Sequence, residues 1–338
     1  MIIVLKPHTN KKEIASIMQQ IKEKGLKPVE FEGDERTVIH VIGDVREDSV
    51  SYFSSLKCVE KVVRILKPYK LASKEHHLQT SVVKIGDISI GNKEFVVIAG
   101  PCSVESEEQI MTSAELLKKA GIKIMRASAF KPRTSPYDFQ GLGVKGLKLL
   151  KKARDKTGIF VETEVMDVRD VSLAAEYVDA LRIGARNMQN YDLLKEVGRI
   201  KKPIILKRGM SATINEFLMA AEYIMYHGNK NVILCERGIR TFETAYRNTL
   251  DIGGVAVLKS ITHLPVIVDP SHAAGNREYV IPFSKAAVAV GADGLLVEVH
   301  PNPEKALSDG AQSLDPGQLK TLLKELKPIC EAVGKRLI

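Results

Sequence analysis

The stretch Phe95-Val96-Val97-Ile98-Ala99-Gly100 opens a pattern that repeats to the end of the chain. An uninterrupted apolar run of this length that stops at a glycine is typical of a strand buried on both faces. Similar runs begin near Ile122, Ile159, Ala180, Ile204, Val232, Val266 and Leu295. The starts lie about 29 residues apart on average, which is enough for one strand and one crossover helix. The spacing therefore predicts an α/β fold, a (β/α)8 TIM barrel over residues 95–338.

Helix-start signals lie between these runs. Thr213 and Glu216 have the spacing of a capping box, and Asp315-Pro316 places proline at the first position of a helix. A doubly wound sheet is the alternative, but it normally has fewer strands. Gly100-Pro101-Cys102 is also not the glycine fingerprint that follows the first strand of that fold. The barrel is the better prediction.

Residues 1–67 follow a different order, strand-helix-strand-strand-helix-strand, which is the ferredoxin-like βαββαβ pattern. The predicted elements are strands at 2–5, 28–31, 37–42 and 62–66 and helices at 10–24 and 49–56, with a turn at Gly33-Asp34. This domain offers no nucleophile, metal cluster or phosphate loop, so we expect a regulatory role; a packing or oligomerisation module is the alternative. Residues 68–94 are predicted as a linker, in which residues 73–77, including His76 and His77, are polar and exposed, followed by a hairpin that turns at Gly86-Asp87.

Composition excludes several classes of protein. The chain has 338 residues, 44% hydrophobic and 27% charged, as expected of a globular protein of two domains. It has no apolar run of the ~20 residues that cross a bilayer and no signal-peptide pattern. Its net charge of +9 forms no basic stripe interleaved with aromatics, so we expect neither a nucleic-acid nor a membrane partner. Four widely spaced cysteines favour a reducing cytoplasm over a disulfide framework: Cys58, Cys102, Cys235 and Cys330.

Charged side chains follow nearly every predicted barrel strand. Barrel enzymes carry their chemistry at the end of the barrel where these residues would meet. The strand-end residues are Cys102, Arg126, Lys131, Glu162, Glu164, Arg186, Lys207, Arg208, Glu236, Arg237, Asp269, His272, Glu298 and His300.

One group of these residues is cationic. Its members are Arg126, Lys131, Arg133, Arg186, Lys207 and Arg237. Facing one cavity, they would repel each other unless an anion binds, and guanidinium groups match phosphate and carboxylate oxygens. Pro132 and Pro136 stiffen the loop that carries Arg133. A solvated basic loop is the alternative for this loop alone.

A second group could hold a metal ion. Cys102, His272, Glu298 and Asp309 offer a thiolate, an imidazole and two carboxylates, a set that suits a first-row transition ion better than calcium. Each also has a structural alternative: Cys102 as a small buried apolar residue, His272 in a helix cap and Asp309 in a turn. Their predicted positions near strands one, seven and eight, which are neighbours in a closed barrel, favour a shared metal.

These motifs resemble the 3-deoxy-D-arabino-heptulosonate 7-phosphate (DAHP) synthases. The matching stretches are Ile98-Ala99-Gly100-Pro101-Cys102-Ser103, residues 126–136, Gly184-Ala185-Arg186-Asn187, Leu206-Lys207-Arg208-Gly209, Cys235-Glu236-Arg237-Gly238, Asp269-Pro270-Ser271-His272 and Val297-Glu298-Val299-His300. The related 3-deoxy-D-manno-octulosonate 8-phosphate (KDO 8-phosphate) synthases typically have asparagine where Pro132 stands and usually lack the N-terminal domain. Both differences favour the heptulosonate branch.

The resemblance implies a metal-dependent, aldol-like condensation of phosphoenolpyruvate with erythrose 4-phosphate that releases inorganic phosphate. It assigns the metal (a Mn, Fe, Co, Zn or Cd-type ion) to Cys102, His272, Glu298 and Asp309. It assigns phosphoenolpyruvate to Arg126, Lys131, Arg186, Lys207 and Arg237, and erythrose 4-phosphate to Arg133, Thr134 and Ser135. Lys131 is the candidate proton donor.

The resemblance also implies feedback inhibition by tyrosine or phenylalanine through residues 1–67, and a homo-oligomer, taken here as a homotetramer. Three alternatives stay open: a KDO 8-phosphate synthase using arabinose 5-phosphate, a Schiff-base aldolase using Lys207, and an amino-acid sensor built on an inactive barrel.

Overall fold

The protein divides into two compact units, Met1–Lys70 and Leu71–Ile338. The computed structural model describes residues 1–33, 36–43, 45, 47–63 and 68–338. Within these residues no helix is long and apolar enough to cross a membrane.

The N-terminal unit is a four-stranded antiparallel sheet with two helices. Its elements are β1 (Ile2–Leu5), α1 (Lys11–Glu23), β2 (Lys27–Glu32), β3 (Thr37–Ile42), α2 (Glu47–Ser54) and β4 (Val59–Val63). The strand order β2-β3-β1-β4 is that of a ferredoxin-like fold, as predicted. The helix α1 buries Ile14, Ile17 and Ile21, which recur at helical spacing, and Asn10 caps it. The predicted turn residue Asp34 and the end of the last predicted strand, 64–66, lie outside the described residues.

The second unit is a closed parallel barrel. Its strands are β5 (Val83–Ile85), β6 (Ile88–Ile90), β7 (Glu94–Gly100), β8 (Ile124–Arg126), β9 (Phe160–Val165), β10 (Ala180–Ile183), β11 (Ile204–Lys207), β12 (Val232–Glu236), β13 (Val266–Val268), β14 (Gly294–Glu298) and β15 (Arg336–Leu337). Its helices are α3 (Glu107–Lys119), α4 (Val144–Thr157), α5 (Val171–Tyr177), α6 (Tyr191–Val197), α7 (Ile214–Tyr226), α8 (Ile252–Ile261), α9 (Pro270–Ala274), α10 (Arg277–Ala289) and α11 (Pro316–Ala332).

Strands β7 to β14 pair in chain order, and β14 pairs with β7 to close the ring. The predicted (β/α)8 barrel is therefore confirmed. The strands read as continuous apolar runs because each is buried inside the ring and covered by helices outside it. The predicted capping box of Thr213 and Glu216 begins α7, and Pro316 begins α11.

The hairpin of β5 and β6 seals one end of the barrel. Val83, Ile85 and Ile90 belong to the same buried apolar cluster as residues of the barrel strands, and Ile338 packs against that cluster. The hairpin was predicted. The short strand β15, which pairs with the start of β7, was not.

The prediction that residues 73–77 are exposed is wrong in part. Ser73 is fully buried and His76 is 8% exposed. The backbone N–H groups of Leu71 and Ala72 each donate to the carboxylate of Glu222 at 2.9 Å. These polar groups are buried because distant parts of the barrel unit supply their hydrogen-bond partners.

Candidate active site

The ends of β7 and β8 come unusually close together. A Cβ atom on Gly100 would lie 2.1 Å from the carbonyl oxygen of Arg126, so only glycine fits there. This close approach places Cys102, just beyond Gly100, beside the strand that leads to Lys131. The Lys131 ammonium donates to the Cys102 sulfur at 2.8 Å.

Three of the predicted metal ligands meet at one point. The sulfur of Cys102 and carboxylate oxygens of Glu298 and Asp309 all lie within 4.8 Å of one another. The Nε2 of His272 lies 3.5 Å from Oε1 of Glu298, so the fourth predicted ligand borders the same cluster. Sequence reasoning placed these residues on neighbouring strands, and the structure brings them together.

The donor set of this cluster fits a divalent transition ion. Oε1 of Glu298 is buried and has no hydrogen-bond partner among the described residues, although it is paired with the Arg126 guanidinium at 3.1 Å. Burial, together with Glu298, raises the pKa of the Cys102 thiol to about 12. A bound cation would favour the thiolate of Cys102 over the thiol. Oε1 of Glu298, which accepts no hydrogen bond from the described residues, could coordinate the same cation.

Asp269 holds the imidazole of His272 in place. Its Oδ1 accepts the backbone N–H of His272 at 2.9 Å as the cap of α9, and its Oδ2 lies 2.7 Å from Nδ1 of the same residue. The ring therefore donates from Nδ1 and presents an unprotonated Nε2 toward Glu298. Burial lowers the pKa of His272 to about 4 in spite of Asp269, so the ring is neutral near pH 7. Lys207 is the second partner of the Asp269 carboxylate.

Asp309 completes the cluster from an unusual backbone position. Its φ of 51° and ψ of 33° place it in the left-handed region, which aspartate tolerates better than most residues. Burial alone would raise the pKa of Asp309, but His272 and Lys131 together hold it below its ordinary value. The carboxylate therefore stays ionised, as a metal ligand must be.

A cavity rich in cations opens beside this cluster. The predicted site residues that line it are Lys131, Arg133, Thr134, Arg186, Lys207, Arg237, His272 and Asp309. Nε and Nη1 of Arg237 are buried without a hydrogen-bond partner in the described part of the chain. Burying a guanidinium without partners is costly, so this geometry favours an anion in the cavity.

Two predicted substrate-binding residues do not line the cavity. Arg126 is fully buried, and its guanidinium contacts Glu298 and the carbonyl oxygen of Cys102. It therefore contacts a candidate metal ligand from within the protein and not from the cavity surface. Ser135 lies on the loop beside Thr134 but is not part of the cavity lining.

Comparison with known proteins agrees with this geometry. The sequence model of the DAHP synthetase I family matches residues 70–334, and that of the DAHP synthase ferredoxin-like domain matches residues 1–67. The chain belongs to the DAHP synthetase I family. It is an enzyme that forms a carbon–carbon bond.

Several relatives support this membership. A phospho-2-dehydro-3-deoxyheptonate aldolase of Thermotoga maritima is 53% identical over 337 residues, which is 100% of each chain. A crystal structure of such an aldolase (DAHP synthase) from Thermotoga maritima, 52% identical, matches 100% of this chain and 99% of that one with a TM-score of 0.80. A 2-dehydro-3-deoxyphosphooctonate aldolase of Syntrophotalea carbinolica is 35% identical over 267 residues, or 73% of this chain and 95% of that one.

Some residues of this DAHP synthetase family member were missed by sequence reasoning. Gln312 donates to Oε2 of Glu298 at 2.7 Å, and Arg247 donates to Gln312 at 2.7 Å while lining the cavity. Ser308 lies 3.2 Å from the Cys102 sulfur. Arg247 and Ser308 lie in long loops well beyond the strand ends, so strand-end position gave no signal for them. The Ser308-Asp309-Gly310 turn could have pointed to Ser308.

Other strand-end charges serve the barrel wall. Arg208 pairs with Glu236 at 2.9 Å and with Asp251 at 2.7 Å, and none of these residues lines the cavity. Glu162 is fully buried and lies 3.4 Å from the Arg182 guanidinium. Burial raises the pKa of Glu162 although Arg182 opposes this. Charge at a strand end is thus a weak guide to which residue meets a substrate.

Proposed function

We propose that the enzyme condenses phosphoenolpyruvate with erythrose 4-phosphate, with a divalent metal held by Cys102, His272, Glu298 and Asp309. The observation that carries the proposal is the position of Arg237 in a cation-lined cavity that adjoins this ligand cluster. Its Nε and Nη1 are buried and have no hydrogen-bond partner among the residues that the structure describes. Both substrates are phosphorylated, and one also carries a carboxylate, so their charges complement the cavity.

Phosphoenolpyruvate is assigned to the inner cations. Lys131, Arg186, Lys207 and Arg237 all line the cavity and can meet its carboxylate and phosphate. The Arg186 side chain makes no ion pair with any described residue, so it is available to the ligand. Arg126 would act through its contact with Glu298 and not through the cavity surface.

Erythrose 4-phosphate is assigned to the loop side of the cavity. Arg133 and Thr134 line it there, with Arg133 placed for the phosphate group. In this arrangement C3 of phosphoenolpyruvate bonds to the aldehyde carbon. Water then adds its oxygen at C2 and gives up a proton, and the bond between C2 and the bridging phosphate oxygen breaks to release inorganic phosphate.

Lys131 is placed to supply a proton to the new alkoxide. It lies between the ligand cluster and the cavity, contacting Cys102 while lining the cavity. Burial alone would lower the pKa of Lys131, but Cys102 and Glu164 outweigh it, so the ammonium stays charged at neutral pH. The metal, when bound, would polarise the aldehyde carbonyl.

Phosphate release from phosphoenolpyruvate tests the substrate assignment. We expect release with erythrose 4-phosphate and little with arabinose 5-phosphate. Preference for the pentose would make the enzyme a KDO 8-phosphate synthase, the activity suggested by the octonate aldolases among its relatives. No release with either sugar would reject the condensation and leave the sensor hypothesis.

Metal removal tests the second part of the proposal. We expect activity to be lost in EDTA and restored by Mn²⁺ or a similar ion. A Schiff-base mechanism at Lys207 predicts the opposite: no effect of EDTA, and irreversible inactivation by borohydride in the presence of substrate. The Lys207 ammonium is already engaged by Asp269, which favours the metal-dependent route.

The proposal extends to regulation and assembly. We infer that tyrosine or phenylalanine inhibits the enzyme through residues 1–67, a range that matches the DAHP synthase ferredoxin-like domain. The predicted homotetramer is part of the same proposal, and sedimentation of the full chain measures it.

A further inference from the structure

The Arg133 guanidinium already has an anionic partner within its own loop. Its Nε and Nη2 donate to the same oxygen, Oδ2 of Asp138, at 3.3 and 3.1 Å. Its Nη1 donates to the hydroxyl of Ser308 at 2.8 Å. Arg133 and Asp138 both line the cavity, so this ion pair lies within the site.

Asp138 can move away from Arg133 without leaving a buried, unpaired charge behind. The Asp138 side chain is 45% exposed and the Arg133 side chain 22% exposed. Asp138 lies in a short turn in which its backbone N–H donates to the carbonyl oxygen of Ser135 at 3.3 Å. The turn holds the backbone while the half-exposed carboxylate is free to rotate into water.

Arg133 therefore differs from Arg237, which also lines the cavity. Arg237 is buried with nitrogen atoms that have no partner among the described residues, whereas Arg133 is neutralised by a carboxylate that reaches it from the same loop. An anion binds to Arg237 without displacing anything. An anion that binds Arg133 through the Nε and Nη2 edge must take the place of Asp138.

We propose that Asp138 is a built-in counter-anion of Arg133 that competes with the phosphate of the sugar substrate, and that it sets the affinity and selectivity of this subsite. The proposal rests on the assignment of erythrose 4-phosphate to Arg133. A phosphomonoester dianion carries more charge and more acceptor oxygens than one carboxylate, so it can replace Asp138. A ligand with a single negative charge gains less from Arg133 than a dianion does, so Asp138 excludes it more strongly. Ser308 keeps its contact with Nη1 in either state.

The size of the effect follows from the exposure of the pair. A partly exposed ion pair typically contributes a factor of roughly two to five to an equilibrium. We expect the substitution Asp138→Asn to lower the KM for erythrose 4-phosphate by about two- to fivefold, because the amide keeps the shape but loses the charge. The KM for phosphoenolpyruvate should change by less than this, since its assigned cations do not contact Asp138.

The experiment uses the full-length enzyme with its divalent metal and measures the KM for each substrate. Asp155→Asn is the matched control: it removes the same charge from a side chain that is 51% exposed, paired with Lys151, and absent from the cavity lining. The double variant of Asp138→Asn with Arg133→Lys should bind erythrose 4-phosphate no more tightly than Arg133→Lys alone. The second variant Asp138→Ser also removes the charge, and thermal melts of both variants show whether a change in KM comes from a folding defect instead.

Two results would overturn the proposal. An unchanged KM for erythrose 4-phosphate in both Asp138 variants would mean that no competition occurs, and a raised KM would mean that Asp138 positions Arg133 for the substrate. Failure of the proposed function can be distinguished from failure of this proposal, because the unsubstituted enzyme would then turn over neither sugar. In that case calorimetry with inorganic phosphate decides: tighter binding by Asp138→Asn supports competition at Arg133, and equal binding rejects it.

Discussion

The geometry of single residues explains why the cluster at the barrel end can act as a metal site. His272 is oriented by two separate contacts with Asp269, one to its backbone and one to its ring. Such partners behind a ligand commonly change metal affinity by about 10- to 100-fold. Strand-end position predicted Cys102, His272 and Glu298 as candidate ligands, and Asp309 was added from the loop that follows the last barrel strand. The role of Asp269 depends on the direction of a hydrogen bond, which the sequence does not contain.

At this scale we expect Asp269→Asn to weaken metal binding by about 10- to 100-fold. The carboxylate accepts the backbone N–H of His272 at Oδ1 and contacts Lys207 and the imidazole at Oδ2, whereas the amide has only one acceptor oxygen for these groups. Titration of Mn²⁺ into the apoprotein measures this directly. Asp315→Asn is the control, since Asp315 caps α11 and asparagine caps equally well. An unchanged Mn²⁺ affinity in Asp269→Asn would show that His272 needs no such support.

Sequence predicted the elements that are marked by their own residues, such as apolar runs and helix caps. It did not predict the burial of a segment whose hydrogen-bond partners lie far along the chain. The barrel strands are apolar runs, and α7 and α11 begin at recognisable caps, so local sequence was enough. Segment 71–81 contains residues 73–77, which were predicted as exposed because they are polar. It is partly buried because Glu222 accepts from Leu71 and Ala72, while His263 contacts the Leu71 carbonyl oxygen at 2.7 Å and the Ser81 hydroxyl at 2.7 Å. Because these hydrogen-bond partners lie more than 100 residues away in the chain, the sequence of the segment itself does not indicate that it is buried.

This anchoring predicts a pH dependence of the barrel unit. Burial lowers the pKa of His263 to about 4, below the 6.5 of an exposed histidine, so its contribution to stability is complete above pH 6.5 and is lost as pH falls toward 4. Between pH 7 and pH 5 the loss is about 2 kcal/mol. Urea unfolding of the barrel unit at both pH values measures it. In His263→Gln the amide can still donate to Leu71 but does not titrate, so the difference between the two pH values should shrink by about that amount. An equal difference in both proteins would contradict the assignment.

On the scale of the whole molecule, each unit has a core of its own. The N-terminal unit packs Ile3, Ile39 and Phe53 into one apolar cluster, and the barrel has a separate cluster that includes Val83 and Ile98. Units with separate cores can often fold separately. The order of elements predicted both units from sequence, whereas no motif in residues 1–67 indicates where the proposed regulatory amino acid would bind.

Deletion of residues 1–70 tests the division of labour between the units. We expect the remaining barrel to keep its turnover within about twofold, because the described ligand cluster and cavity belong entirely to residues after Leu71, and to lose any inhibition by tyrosine or phenylalanine. Steady-state rates with and without each amino acid, for full-length and shortened chains, measure both effects. Thermal melts of the two proteins separate a loss of regulation from a loss of folding. Inhibition that survives in a folded, active barrel would place the regulatory site within residues 71–338.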